Sequence, residues 1–276
     1  MRLRVRHETA YHFDPPMRGV VQSHRLTPSL FEGQQVIDWA VNVEGAARGS
    51  GFRDGAGDWI ETVSLLGPVD SMTVLVSGEV ETFDLAGVLR GHREAIPPMA
   101  YLRPTRATRA DRALAELAAD TVASLDAVGT LAKAHALAAA VAEAIAYTPG
   151  ETEHGTTAAE ALALGHGVCQ DHAHALIACA LSLDIPARYV TGYLFASEEA
   201  GLHEASHVWA ELHVQGLGWV GFDPSNRRCA DERYIRIGSG ADAVEAAPIR
   251  GVAQGAGQER LDVKVTVDQA TQSQSQ

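Results

Sequence analysis

The sequence predicts an α+β protein with an antiparallel β-rich unit at 1–98, a helix-and-strand unit at 99–268 and a disordered tail at 269–276. Three observations carry this reading. Short runs that alternate apolar and polar residues, punctuated by Gly and Pro, fill the first ninety-odd residues. The composition then turns rich in Ala and Leu, which favour helices. Beyond Pro186 the alternation of strands returns.

The elements follow in order. Leu3, Val5 and His7 alternate with Arg2, Arg4, Arg6 and Glu8, and Val36–Val43, Trp59–Leu65 and Met72–Val80 repeat the pattern. Gly49-Ser-Gly, Gly55-Ala-Gly and Gly67-Pro68 read as breaks between strands. Ile96 to Thr105 is Pro-rich and reads as a linker. Helices are expected over about Asp111–Thr121 and Leu131–Tyr147, the second stopped by Pro149-Gly150. Thr157 with Glu160 has the spacing of a capping box and opens a short helix through Leu164. Gly165-His-Gly167 breaks that helix, and another starts near Cys169, with Ala173, Leu176, Ile177, Ala180 and Leu181 on one buried face. Asp184-Ile-Pro186 ends it. Strands follow at Ala187–Leu194, Ser206–Val214 and Trp219–Asp223, with a last one at Leu261–Val267.

Charge and cysteine content limit the function. The 276 residues carry a formal net charge of −13, against the basic footprint that nucleic acid or an anionic membrane requires. No apolar run reaches the ~18 residues of a transmembrane helix, and the N-terminus has no signal-peptide core. Three cysteines, Cys169, Cys179 and Cys229, build no disulfide framework, so the expected location is the cytoplasm.

Three residues stand out chemically. Cys169 lies at a helix start behind glycines, where free N–H groups and the helix dipole favour a thiolate nucleophile. His207 shares one strand face with Trp209, Glu211 and His213. Across the turn Gln215-Gly-Leu-Gly218, Asp223 shares a face with Trp219 and Gly221. If His213 pairs with Leu217, His207 sits directly opposite Asp223, where a carboxylate orients an imidazole. A nucleophile, a base and an orienter are then assembled. Trp209 and Trp219 read either as core aromatics or as walls of an acyl pocket, and Asp171 as a complement to the helix dipole. Cys179 and Cys229 have no such partners and read as inert.

The segments Gly167-Val-Cys169-Gln-Asp171, Pro186-Ala-Arg-Tyr-Val-Thr-Gly-Tyr193, Ser206-His207-Val-Trp209-Ala-Glu211 and Gly218-Trp-Val-Gly-Phe-Asp223-Pro-Ser-Asn226 resemble the transglutaminase-like superfamily. More narrowly, the chain resembles bacterial transglutaminase-like proteins with an N-terminal β domain. Where that subgroup often has Gly-Arg-Asp-Tyr, Gly240-Ala-Asp242-Ala stands here. The resemblance implies a papain-like core with the cysteine helix packed on an antiparallel sheet, a Cys169–His207–Asp223 triad and acyl transfer on amides.

The expected substrate is a peptide, protein or other amide, cleaved through a Cys169 thioester. Hydrolysis is favoured, because no residue pattern identifies a dedicated amine site; transfer to an amine is the alternative. A zinc protein and a non-catalytic binding module are the remaining classes. His172 and His174 point about 200° apart on a helix, His203 and His207 precede or begin a strand, and no Cys-x-x-Cys or His-Glu-x-x-His spacing occurs. No metal or cofactor is therefore expected.

Overall fold

The computed structural model describes residues 1–125, 129–195 and 206–270. β1 (Arg2–His24) buries Leu3, Val5, His7, Thr9, Tyr11 and Phe13 and turns the residues between them outward. β2 (Gln34–Val43), the short strands β3 (Ala47–Arg48) and β4 (Phe52–Arg53), and β5 (Trp59–Thr82) complete the first part of an antiparallel sheet, with β5 between β1 and β2. Gly67-Pro68 does not divide two strands as expected; β5 runs through it. The β1 backbone crosses so closely that a Cβ on Gly67 would lie 2.4 Å from the Met17 carbonyl oxygen. The glycine marks a close approach within the sheet.

The expected linker holds a short 3-10 helix, Pro98–Leu102, whose Tyr101 is buried edge-on against Trp219. α1 (Arg112–Val122) is capped by Asp111, which accepts from Leu114 N–H at 2.9 Å. α2 (Thr130–Ala144) ends three residues before the expected Tyr147. Ala146–Tyr147 instead forms β6, ahead of α3 (Ala158–Leu164), which carries the expected capping box. β7 (His166–Gly167) pairs in parallel with β6 and delivers the chain to α4 (Cys169–Leu181).

Every residue of α4 from Asp171 to Ala180 is buried, rather than one face alone. The helix is enclosed by α1, α2 and α3 and by two strands of the second sheet, β8 (Ala187–Leu194) and β9 (Ser206–Val214). Ala173, Ala175, Ala178 and Ala180 lack side chains that would hold these neighbours away. β10 (Gly218–Asp223), β11 (Arg228–Cys229) and β12 (Tyr234–Gly240) complete this sheet in the order β11-β10-β9-β8-β12.

The chain then returns to the first sheet. β13 (Ile249–Gln254) and β14 (Gln258–Gln269) both pair with β1, on the edge opposite β5. The alternation at Leu261–Val267 does mark a strand, but its partner is β1, with Val5 opposite Val267 and Thr9 opposite Val263. Alternation reports a strand without naming its sheet. The expected tail is shorter at its start, since Gln269 closes β14 and Ala270 N–H bonds to Arg2; residues 271–276 lie outside the described residues.

Apolar packing and a buried ion network both join the two sheets. Leu3, Val5 and Val80 pack on Tyr193, Ile235 and Ile237. Beside this apolar seam lies a buried ion network. Glu211 bonds Arg188 Nε at 2.7 Å and Arg236 Nε at 2.8 Å. Arg236 continues to Asp58 (3.0 Å) and Ser29 (2.6 Å), and Arg188 to Glu94. Burial alone would raise the Glu211 pKa, but the two guanidiniums outweigh it and hold it at about 2.

Candidate active site

Cys169 is the first residue of α4 and is partly exposed. Its position is set by the segment before it. Thr148 N–H bonds the Gly167 carbonyl at 2.9 Å, tying the β6–β7 pair to the helix entrance. Asp171 folds back and accepts from Val168 N–H at 2.8 Å and from the Thr152 hydroxyl at 2.7 Å. That fold-back requires Gly167, where a Cβ would sit 2.7 Å from the Asp171 Cβ. The expectation that Asp171 serves the helix start matches this geometry.

The β9–β10 register differs from the assumed one. Val214 pairs with Gly218 and His213 with Trp219, so the pairing is displaced by two residues along β10. The turn residues Gly216 and Gly218 both take φ of +84°, and the ladder closes one residue later on β9 than assumed. His207 and Asp223 are therefore diagonal rather than directly opposed. They remain on one face, because a shift of two preserves parity. Diagonal neighbours are within reach of long side chains, and His207 Nε2 lies 2.6 Å from Asp223 Oδ2.

The Cys169 side chain also favours the charged form of His207. With Nε2 on Asp223, Nδ1 is the nitrogen left for the sulfur. Burial opposes a charge on His207, but the bonds to Asp223 and Cys169 and their charges raise its pKa to about 10. Burial likewise works against the Asp223 carboxylate, and the partners His207, Ser225 and Asn226 outweigh it, holding the pKa at about 2. His207 and Asp223 are thus paired as imidazolium and carboxylate.

Three residues around Asp223 escaped the sequence reading. Tyr234 on β12 donates its hydroxyl to Asp223 Oδ2 at 2.8 Å, and Asn226 Nδ2 donates to the same oxygen at 2.8 Å. Ser225 Oγ donates to Oδ1 at 2.6 Å. Asp223 Oδ1 also accepts from Asn226 N–H at 3.2 Å, so the carboxylate shapes the turn with one oxygen and meets His207 with the other. The sequence signal for Ser225 and Asn226 was the quoted Asp223-Pro-Ser-Asn226 segment; Tyr234 comes from a strand three places away in the sheet.

The two tryptophans are both buried. Trp209 is buried with Val190, Leu194 and Tyr234, its ring edge-on to Tyr234 at 5.3 Å. Trp219 is buried beside Tyr101, with the Arg188 guanidinium 4.1 Å from its ring centre and its Nε1 bonded to Glu94. Their surroundings are those of core aromatics. Cys179 is buried in the helical core, where desolvation pushes its thiol up to about 12; desolvation also raises Cys229. His172 and His174 are held apart on α4, the first between the Val168 and Ile145 carbonyls and the second by Ala243 N–H. His203 lies outside the described residues. No group of three metal-binding side chains occurs among the described residues.

Residues 115–224 match the family described as the transglutaminase-like superfamily, and residues 3–81 match the bacterial transglutaminase-like N-terminal region. An uncharacterized protein of Mycobacterium leprae is 33% identical over 280 residues, covering 96% of this chain and 98% of its own. The chain belongs to the transglutaminase-like superfamily. An uncharacterized protein of Mycobacterium tuberculosis is 37% identical over 115 residues, covering 38% of this transglutaminase-like chain and 37% of its own. A crystal structure from Cytophaga hutchinsonii, of a protein whose cysteine-protease designation is itself provisional, superposes with a TM-score of 0.73 at 21% identity. It covers 97% of this chain and 90% of that one, so the two-sheet fold is shared along nearly the whole length. No helix among the described residues is long and apolar enough to cross a membrane.

Proposed function

We propose that the protein breaks an amide or isopeptide bond through a thioester on Cys169, with hydrolysis as the outcome. The observation that carries this is His207, bonded to Asp223 at 2.6 Å, with Cys169 as the further side chain that favours its charged form. The Cys169 thiolate adds to the carbonyl carbon, and the negative charge moves to the carbonyl oxygen. Cys169 N–H, in the first turn of α4 and without an intrahelical acceptor, points donor density toward that oxygen. The His207 imidazolium gives its proton to the departing amine as the C–N bond breaks, leaving the acyl group on sulfur. His207, now neutral, takes a proton from water as it attacks the thioester, releasing the acid and restoring the ion pair. Asp223 keeps the imidazole oriented throughout.

Hydrolysis is supported by the partial exposure of Cys169, which leaves the thioester open to bulk water. The test is reaction with amide peptides in the presence of millimolar cadaverine, with products weighed by mass spectrometry. Free acid should dominate. A dominant cadaverine adduct would make the protein a transferase, and a Cys169→Ala variant with undiminished turnover would remove Cys169 from the reaction.

A further inference from the structure

Tyr234 is buried at the start of β12, yet its hydroxyl reaches the last residue of β10. It donates to Asp223 Oδ2 at 2.8 Å, the same oxygen that His207 Nε2 meets at 2.6 Å. Asn226 Nδ2 donates there as well, at 2.8 Å, while Ser225 Oγ and Asn226 N–H occupy Oδ1. An ionised carboxylate offers about four acceptor directions, and this one meets five donors among the described residues. The crowding is on Oδ2, so each donor there takes a share of its negative charge.

The tyrosine is held in this position. Its ring stands edge-on to Trp209 at 5.3 Å and lies 6.0 Å from the His207 ring. Val190 and Leu194 of β8 complete the apolar cluster around it, and its N–H bonds the Asp231 carbonyl at 3.1 Å. Burial first, and then the charge of Asp223, keep the hydroxyl protonated, so it remains a donor. A buried tyrosine hydroxyl needs an acceptor. Any carbonyl would meet that need, but here it is met by the oxygen on which the imidazolium depends. The proposed reaction requires His207 to give its proton to the departing amine, and an acid works best when its pKa lies near the working pH. An undivided Asp223 charge would hold that proton more tightly.

We propose that Tyr234 is a positioning residue for the reaction: by sharing Asp223 Oδ2 with His207 it draws charge from the carboxylate and eases the passage of the His207 proton to the leaving amine. The proton passes from the imidazolium to the amine nitrogen as the C–N bond breaks, and Tyr234 keeps its own. The proposal rests on the thioester reaction at Cys169.

The test uses the full chain and two readouts. The first is the His207 titration midpoint, read by NMR without substrate. Tyr234→Phe deletes one oxygen atom and should raise the midpoint by about 0.5–1 pH unit, since Asp223 then spends its charge on fewer donors. Tyr234→fluorotyrosine makes the hydroxyl a stronger donor and should lower it; this variant keeps the hydroxyl and decides the matter if Tyr234→Phe does not fold. The other titratable groups acting on the pair, Cys169 of α4 on His207 and Arg228 and Asp231 on Tyr234, are unchanged in both variants. The second readout is first-turnover release from one acyl group carried as a p-nitroanilide and as a p-nitrophenyl ester. The aniline needs a proton to leave and the phenolate does not, so Tyr234→Phe should slow the anilide at least about threefold relative to the ester. An unmoved midpoint in either variant, or equal slowing of anilide and ester, would overturn the role of Tyr234 and leave the thioester chemistry standing. Undiminished anilide release by Cys169→Ala would overturn the proposed function and this role with it.

Discussion

Asp223→Asn is the sharpest perturbation of the proposed charge arrangement, because it removes one negative charge while keeping the side chain's shape. The rise of His207 from 6.5 to about 10 corresponds to on the order of 5 kcal/mol in favour of imidazolium. Asp223 and Cys169 both hold that charge, against the cost of burial. An opposite charge at hydrogen-bond distance is typically worth roughly 1–3 pKa units. The variant's His207 should therefore lose its proton roughly 1–3 pH units lower than in the parent protein. The assay is the His207 imidazole carbon-bound proton, followed by NMR across pH 5–11, and it needs no substrate. The parent His207 should remain charged through pH 8. A parent midpoint near 6.5, or an unmoved midpoint in Asp223→Asn, would refute the ion-pair reasoning. Glu211 and Asp171 would not be the replacements to examine. Glu211 is held by Arg188 and Arg236, and Asp171 by Val168 N–H and Thr152.

Four further outcomes are expected. Iodoacetamide should modify Cys169 well before Cys179 or Cys229, whose thiols burial holds protonated, and peptide mapping would show the order. Glu211→Gln should lower unfolding stability by about 3–5 kcal/mol in urea, since it leaves Arg188 and Arg236 buried without their shared anion. The folded-state pKa of His207 is raised, so its stabilising contribution is complete below pH 6.5 and is lost as pH climbs through about 10; that of Asp223 is present above 3.8 and is lost as pH falls through about 2. Denaturation midpoints in Asp223→Asn should accordingly show a flatter profile at both ends. Gly167→Ala should cost about 1–3 kcal/mol through the clash with Asp171 and slow Cys169 alkylation, because the helix entrance moves.

Local chemistry was the part of the molecule open to reading from sequence. The Thr157–Glu160 capping box lies within four residues, and its bonds form as the spacing requires. The limits of β8 and β9 follow from alternation bounded by Pro186 and the turn at Gly216. The shared face of His207 and Asp223 follows from parity, which survives an error of two in register. The register itself hinged on the conformation of Gly218, which no periodicity encodes. The partners brought by distant strands were likewise closed to inspection. Tyr234 reaches Asp223 across the sheet, and His7 of β1 meets Tyr193 of β8 from far along the chain. Arg188, Glu211 and Arg236 look in sequence like solvent-facing charges, and only mutual pairing makes their burial tolerable.

The pairing of β1 with both β13 and β14 has a consequence for how the protein is made. Residues 2–24 are made before β5 and can meet it as soon as it is synthesised, but their opposite edge waits for residues 249–269. Until residues 249–269 are made, that edge presents unpaired backbone groups, the template on which strands of other molecules add. Its outward Arg2, Arg4, Arg6 and Glu8 provide charge along the waiting edge, the means by which natural sheets discourage such addition. Closure of the first sheet is therefore a long-range event, and a chain interrupted before residue 249 would hold the Cys169 helix already synthesised and its first strand still half-paired.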